Sequence, residues 1–233
     1  MIRPILISLA LVTSTAALAD KADNQAMERK VAINFGKCVV KLDPVSAEKA
    51  VLSDLEYAEI NKDHKKLLDP RCLPSTVGSG IRLQMDDLSL KAAIAQTLIY
   101  RDLQNSQYSD FTRAPPLTHR QPYPLKTIND KTGLPLSEKS IKSQQEAIAR
   151  KTLVYTLSRF GECVVRTDPA SARNVVFAPI GTPEEMAAIK AIAPVLSSCI
   201  AKGENVAFTR LSIRNTLGVN YYRLANAMPG GTQ

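Results

Sequence analysis

Laid on itself at an offset of 125 residues, the chain repeats. Phe35-Gly36-Lys37-Cys38-Val39-Val40-Lys41-Leu42-Asp43-Pro44-Val45-Ser46-Ala47 faces Phe160-Gly161-Glu162-Cys163-Val164-Val165-Arg166-Thr167-Asp168-Pro169-Ala170-Ser171-Ala172, with nine of thirteen positions identical. The match resumes at an offset of 123, where Leu88-Ser89-Leu90-Lys91 faces Leu211-Ser212-Ile213-Arg214 and Ile94-Ala95 faces Leu217-Gly218. Order and residue type kept over such a distance define two copies of one module, each a supersecondary unit that must fold in the same way twice.

Each copy carries two cysteines, Cys38 and Cys72 in the first and Cys163 and Cys199 in the second. Four cysteines allow three pairings. A module present twice should carry its own staple, so the expected bonds are Cys38–Cys72 and Cys163–Cys199. A unit of about 70 residues has a marginal core and gains from a cross-link, by about 4 kcal/mol on loop-closure grounds. The chain has no Cys-x-x-Cys redox pair, and His64 and His119 are its two histidines, too few and too scattered for a zinc site.

Both copies read as helical. Val31, Phe35, Cys38 and Leu42 form one stripe of 3.6-residue period, and Leu153, Leu157, Phe160 and Val164 form the same stripe. Asp43-Pro44 and Asp168-Pro169 stop that helix and start the next, because Asp caps free N–H groups and Pro suits the first helical position. Thr182-Pro183-Glu184-Glu185 is expected to open a third helix with a capping box, and Ser53-Asp54-Leu55-Glu56 to do the same in the first copy. Pro194 should kink or split the second-copy helix, and Pro70 should end its counterpart. Brief strands are expected near 81–85 and 205–208, before last helices capped by Asp86 and Thr209. The expected fold is all-α, with about four helices per copy and minor strand. Gly in a helix interior calls for a close neighbour, either another helix of the same copy or the opposite Phe-Gly helix; the paired valines that follow favour contact between the two Phe-Gly helices.

The organisation is a signal peptide at 1–19, helical repeat 1 at 20–103, a Pro-rich connecting segment at 104–137 and helical repeat 2 at 138–233. The N-terminal reading rests on Arg3, the apolar run Ile5 to Val12, and the small-x-small site Ala17-Leu18-Ala19 before Asp20. It implies a periplasmic or secreted protein, the oxidising setting in which disulfides persist. The connecting segment holds Pro115, Pro116, Pro122, Pro124 and Pro135 among Tyr108, Phe111, Tyr123 and His119. It is expected to lie as a strap over both repeats, held by its aromatics; the alternative is a mobile contact surface for a peptide or ligand.

The formal net charge is +8, but the basic residues are scattered, which argues against specific nucleic-acid binding. No Gly-x-Ser-x-Gly elbow, His-Glu-x-x-His pair, Walker loop or dinucleotide fingerprint occurs, and no cofactor is expected. The Phe-Gly-x-Cys-Val-Val…Asp-Pro pattern, over about Val31 to Arg101 and Leu153 to Arg223, resembles exported proteins of Gram-negative bacteria. That resemblance implies a helical secreted fold and brings no activity with it. Two functions then compete. One is a non-enzymatic interaction module for a periplasmic protein or anionic envelope component. The other is an envelope-polymer hydrolase using a carboxylate pair; a cleft with two unpaired carboxylates would favour it.

Overall fold

Two Asp-Pro steps set the local geometry of each half. Asp43 and Asp168 leave the helical region at φ −149°, ψ 80° and φ −143°, ψ 81°. Their carboxylates accept the N–H groups of Ser46 and Ser171 at 3.1 and 2.9 Å. Each cap of this kind is worth about 1 kcal/mol.

The computed structural model describes residues 15–72, 87–106, 108, 110–200 and 208–229, with side chains from residue 29 onward except those of Tyr57 and Asp87. The described residues form helices α1 (Thr15–Leu42), α2 (Pro44–Leu52), α3 (Tyr57–Asp63), α4 (Asp87–Asp102), α5 (Glu138–Thr167), α6 (Pro169–Phe177), α7 (Pro183–Ser198) and α8 (Arg210–Ala227). Two short 3-10 turns, Lys65–Leu68 and Pro70–Cys72, follow α3. The chain is all-α, and none of its described helices is long and apolar enough to cross a membrane. Disulfides join Cys38 to Cys72 and Cys163 to Cys199, with Cα atoms 5.4 and 5.8 Å apart. Each ties the first helix of its half to the segment just beyond the third.

Most of the strand residues expected, 81–85 and 205–207, lie outside the described residues, as does Asp86. Phe208 is described and joins no strand; its ring stacks 4.5 Å from that of Phe160. Three local expectations need correction. Of the kink or split expected at Pro194 the split does not occur, because this proline sits on an exposed face where water can serve the Lys190 carbonyl it leaves unbonded. The cap of α3 is Glu56, which pairs with Glu59 in a reciprocal capping box; Ser53 closes α2 instead. Thr182 does accept the N–H of Glu185, but the Glu185 carboxylate turns to the Gly181 N–H and to two arginines.

The glycines of the Phe-Gly pair show how each half is built. An ideal Cβ on Gly36 would stand 2.0 Å from the Ala93 carbonyl oxygen and 3.1 Å from Thr97 Oγ1. On Gly161 it would stand 2.4 Å from Thr216 Cγ2 and 2.5 Å from Asn220 Nδ2. Ala93 and Thr216, like Thr97 and Asn220, are 123 residues apart, the offset of the last helices. In each half, then, the first helix lies against the last at the same two positions. This corrects the expected contact between first helices: α1 packs on α4, α5 packs on α8, and the halves meet through α4 and α8. Their central position explains why α8 is buried continuously from Thr216 to Ala225, polar residues included.

Equivalent positions on α4 and α8 reach across to the opposite half. The Tyr100 hydroxyl donates to the Phe177 carbonyl at the end of α6 (2.9 Å), and its ring meets the Phe177 ring edge-on. Arg223, 123 residues on, donates from Nη2 to Asp54 Oδ1 just past the end of α2 (3.1 Å). At the Tyr100 junction a buried ion triad closes the space. Glu185, 1% exposed, accepts from Arg29 of α1 at 3.0 Å and from Arg214 of α8 at 3.1 Å. Arg214 also donates to the carbonyls of Val175 and Val176 (2.8 and 2.6 Å) and to Gln96 Oε1 (3.1 Å). Burial pulls the Arg214 guanidinium below its ordinary value, with Glu185 acting against that.

Three outcomes are expected of stability measurements. Gly36→Ala and Gly161→Ala should each lower stability by about 1–3 kcal/mol in urea unfolding, because helix backbone or packed side chain must move. Gly218→Ala should be neutral or stabilising by up to about 1 kcal/mol, since its nearest neighbour, Ile99 Cδ1, lies at an ordinary 3.8 Å. Glu185→Ala should cost about 3–5 kcal/mol by leaving two arginines facing each other without an anion.

Candidate functional site

The expected strap is there, and it follows α5. Gln144, Lys151, Ser158, Glu162 and Arg166 fall at steps of seven, seven, four and four, one face of that helix. The segment from Phe111 to Lys126 runs along this face antiparallel to the helix. Arg166 donates to the carbonyls of Phe111, Ala114 and Pro115 at 2.7, 3.1 and 2.6 Å. Glu162 accepts the Leu117 N–H at 3.0 Å and His119 Nε2 at 2.5 Å, while His119 Nδ1 lies 2.8 Å from Ser158 Oγ. Farther along, Lys151 Nζ lies over the Tyr123 ring, and the Gln144 amide exchanges two hydrogen bonds with the Lys126 backbone. Phe111 is fully buried between Tyr108 and Tyr221. The segment then turns through a bridge between Ile128 and Pro135, with Gly133 at φ +69°, and enters α5 at its cap, Ser137. His119 is thus held, not mobile.

Burial alone would raise the Glu162 carboxyl. The hydrogen bonds from His119, the Leu117 N–H and Arg166 outweigh it and hold the group at about 2.

Between the strap and the two halves lies a cleft of about 610 Å³, open solvent at its mouth included. Its walls are Asp54, Leu55 and Glu56 from the α2–α3 connection, Leu88 and Lys91 from α4, Arg120 and Gln121 from the strap, Lys151, Val154, Tyr155 and Ser158 from α5, and Val219 and Arg223 from α8. Arg223, 7% exposed, donates to Asp54 and to the Thr118 carbonyl, while its Nε has no hydrogen-bond partner. Glu56 pairs with Lys151 and with Arg120, which also pairs with Glu59. Lys91 donates to the Ser53 carbonyl at 2.9 Å.

The cleft is the counterpart of the sealed junction. Offsets of 125 in the first helices and 123 in the last place Val154 opposite Arg29, Lys91 opposite Arg214, Val219 opposite Gln96 and Arg223 opposite Tyr100. Three polar side chains that fill one junction are replaced by two valines and a lysine in the other, and the space stays open. The carboxylate that completes the sealed junction, Glu185 at the third position of α7, has Glu59 as its counterpart in α3. Glu59 points outward, to the Glu56 N–H at 2.8 Å and to Arg120.

Both carboxylates of the cleft are therefore engaged. Where carboxylates among the described residues depart from their ordinary values, as at Asp43, Glu59, Asp69, Asp110, Glu162 and Glu184, they move down. A general acid for glycoside cleavage needs the opposite shift. Among the described residues no group of three His, Cys, Asp or Glu is placed to hold a metal ion. The four cysteines are all in disulfides and play no part in the cleft. His64 lies apart from it, 3.2 Å from Ser46 Oγ. Sequence reasoning had no cleft residues to offer, yet the face of α5 with Gln144, Lys151, Ser158, Glu162 and Arg166 was a legible signal.

Fold and site together define an all-α, disulfide-bonded protein with a strapped, mixed-charge cleft between its halves. Comparison with models of known protein families, with curated proteins and with solved structures finds no match to the chain.

Acid should release the strap. A carboxyl depressed in the folded state adds stability above its ordinary range near 4.5, and that contribution is lost as pH falls toward 2. Peptic cleavage within residues 110–126 should therefore rise steeply between pH 4.5 and 2. In Glu162→Gln the same segment should already be open at pH 6, read as faster tryptic cleavage at Arg113 and Arg120.

Proposed function

We propose that this chain is an exported, non-enzymatic interaction module that holds a protein or anionic envelope component in the cleft between its halves. The observation that carries this reading is the contrast between the two junctions. One is filled by its own buried arginines and glutamate, and the other is left open, with Lys91, Arg120, Lys151 and Arg223 in its walls and its two carboxylates already paired. Cations outnumber acids there, which favours an anionic partner by charge complementarity. Engaged carboxylates favour binding over hydrolysis. Export rests on the Arg3, Ile5 to Val12 and Ala17-Leu18-Ala19 pattern, with the two disulfides in accord.

The test is a photo-crosslinking residue placed at Gln121, over the cleft, or at Ala191 on the exposed side of α7, in the full chain expressed in a Gram-negative host. A discrete adduct from position 121 and none from 191 is the expected result. Equal labelling from both positions, or from neither, removes the cleft as the interaction site. N-terminal sequencing of the accumulated protein should read from Asp20, and a chain that keeps Met1 would refute export.

A further inference from the structure

We infer that the cleft recognises a carboxylate, such as the acidic side chain or free C-terminus of a peptide, and that the ligand's carboxylate takes the place that Glu185 takes in the sealed junction. This rests on the reading of the cleft as a binding site and names its ligand class.

The sealed junction is an internal template. There a carboxylate sits between a cation on the last helix, Arg214, and a cation from a first helix, Arg29, with distances of 3.1 and 3.0 Å. The cleft keeps the first of these cations in kind, because Lys91 occupies the position of Arg214. It loses the second to Val154, but Lys151 stands three residues earlier on α5, close to one helical turn away. Arg223 adds a third cation where the sealed side has Tyr100. No carboxylate enters the cleft from the position equivalent to Glu185, since Glu59, its counterpart, is drawn out by the α3 capping box and by Arg120.

One donor behind the cleft wall is also left unsatisfied. Arg223 is more than nine-tenths buried, lines the cleft, and has an Nε without a hydrogen-bond partner. A buried guanidinium donor is normally satisfied. The pairs that now neutralise the cleft cations are partly solvated: Lys151 and Glu56 each keep 27% of their side-chain surface and Arg120 keeps 46%. Exposed pairs of that kind exchange partners readily. An incoming carboxylate can take Lys151 from Glu56 while Glu56 keeps Arg120.

The experiment is calorimetric titration of the mature, oxidised full chain with tetraglutamate, with tetraglutamine blocked as its C-terminal amide, so that it carries no carboxylate, and inorganic phosphate as separate probes. Saturable one-to-one binding of tetraglutamate is expected, weakened about ten-fold or more by Lys151→Ala and unchanged by Lys65→Ala/Lys66→Ala, exposed on the 3-10 turn after α3 and not in the cleft wall. Circular dichroism melts confirm that each variant is folded, and Lys151→Gln serves if Lys151→Ala melts early. Equal binding of tetraglutamine, displacement by equimolar phosphate, or equal loss in the Lys65/Lys66 variant would each overturn the carboxylate assignment. Absence of tetraglutamate binding, beside a discrete crosslink from position 121, would overturn the ligand class and leave the cleft as an interaction site.

Discussion

The architecture depends on two helix crossings in which there is no room for a side chain. At Gly36 the Ala93 carbonyl oxygen, and at Gly161 the Thr216 and Asn220 side chains, occupy the space that a Cβ would need. Because α1 is pinned to α4 and α5 to α8, the last helices become the shared centre on which the halves meet. Glycine costs helix stability, roughly 0.5–1 kcal/mol relative to alanine, so a close crossing must return more than that through packing. Val39-Val40 and Val164-Val165 supply it: all four are buried, which requires cover on more than one side of each first helix. That cover comes from within each half, through the last helix and the stapled third element.

Much of this was legible in the chain. The all-α class, the Asp-Pro caps and the disulfide pairing followed from repeat spacing and capping chemistry, which are local or counted properties. The end of α5 at Thr167 followed from the stripe Leu153 to Val164 and the Asp168-Pro169 step that stops it. The Phe-Gly signal correctly announced a close approach but named the wrong neighbour, because a glycine reports that something is near and carries no information about what. The partners were encoded too, as Ala93 with Thr97 and Thr216 with Asn220 at one offset. Small and polar helix residues at that spacing look like ordinary surface until the crossing is seen.

The cleft was less legible for a related reason. Its walls come from five separate segments, and no two of its charged residues form a sequence motif. Glu185 shows the difficulty well. Its position after Thr182-Pro183 fits a capping box, yet a buried arginine 29 residues later takes its carboxylate instead. A charge-assisted bond in a buried setting outranks a solvent-exposed cap hydrogen bond of about 1 kcal/mol, and that competition is decided by tertiary structure. The strap itself was legible from its prolines and aromatics, but most of its polar anchors were not, because the residues that supply them belong to α5.

The two junctions also explain why a buried ion triad is tolerated where apolar residues would serve stability as well or better. If both junctions were apolar and alike, α4 and α8 could exchange roles with little difference in energy. The Arg29–Glu185–Arg214 cluster removes that degeneracy, because only the α1–α7–α8 side can satisfy all three groups together. Its mirror position, with Val154, Lys91 and Val219, offers no buried acid and would leave an arginine unpaired. The triad therefore fixes which junction closes, and by doing so fixes which one stays open beneath the strap. On this argument the charged cluster far from the cleft is the condition for having a cleft at all.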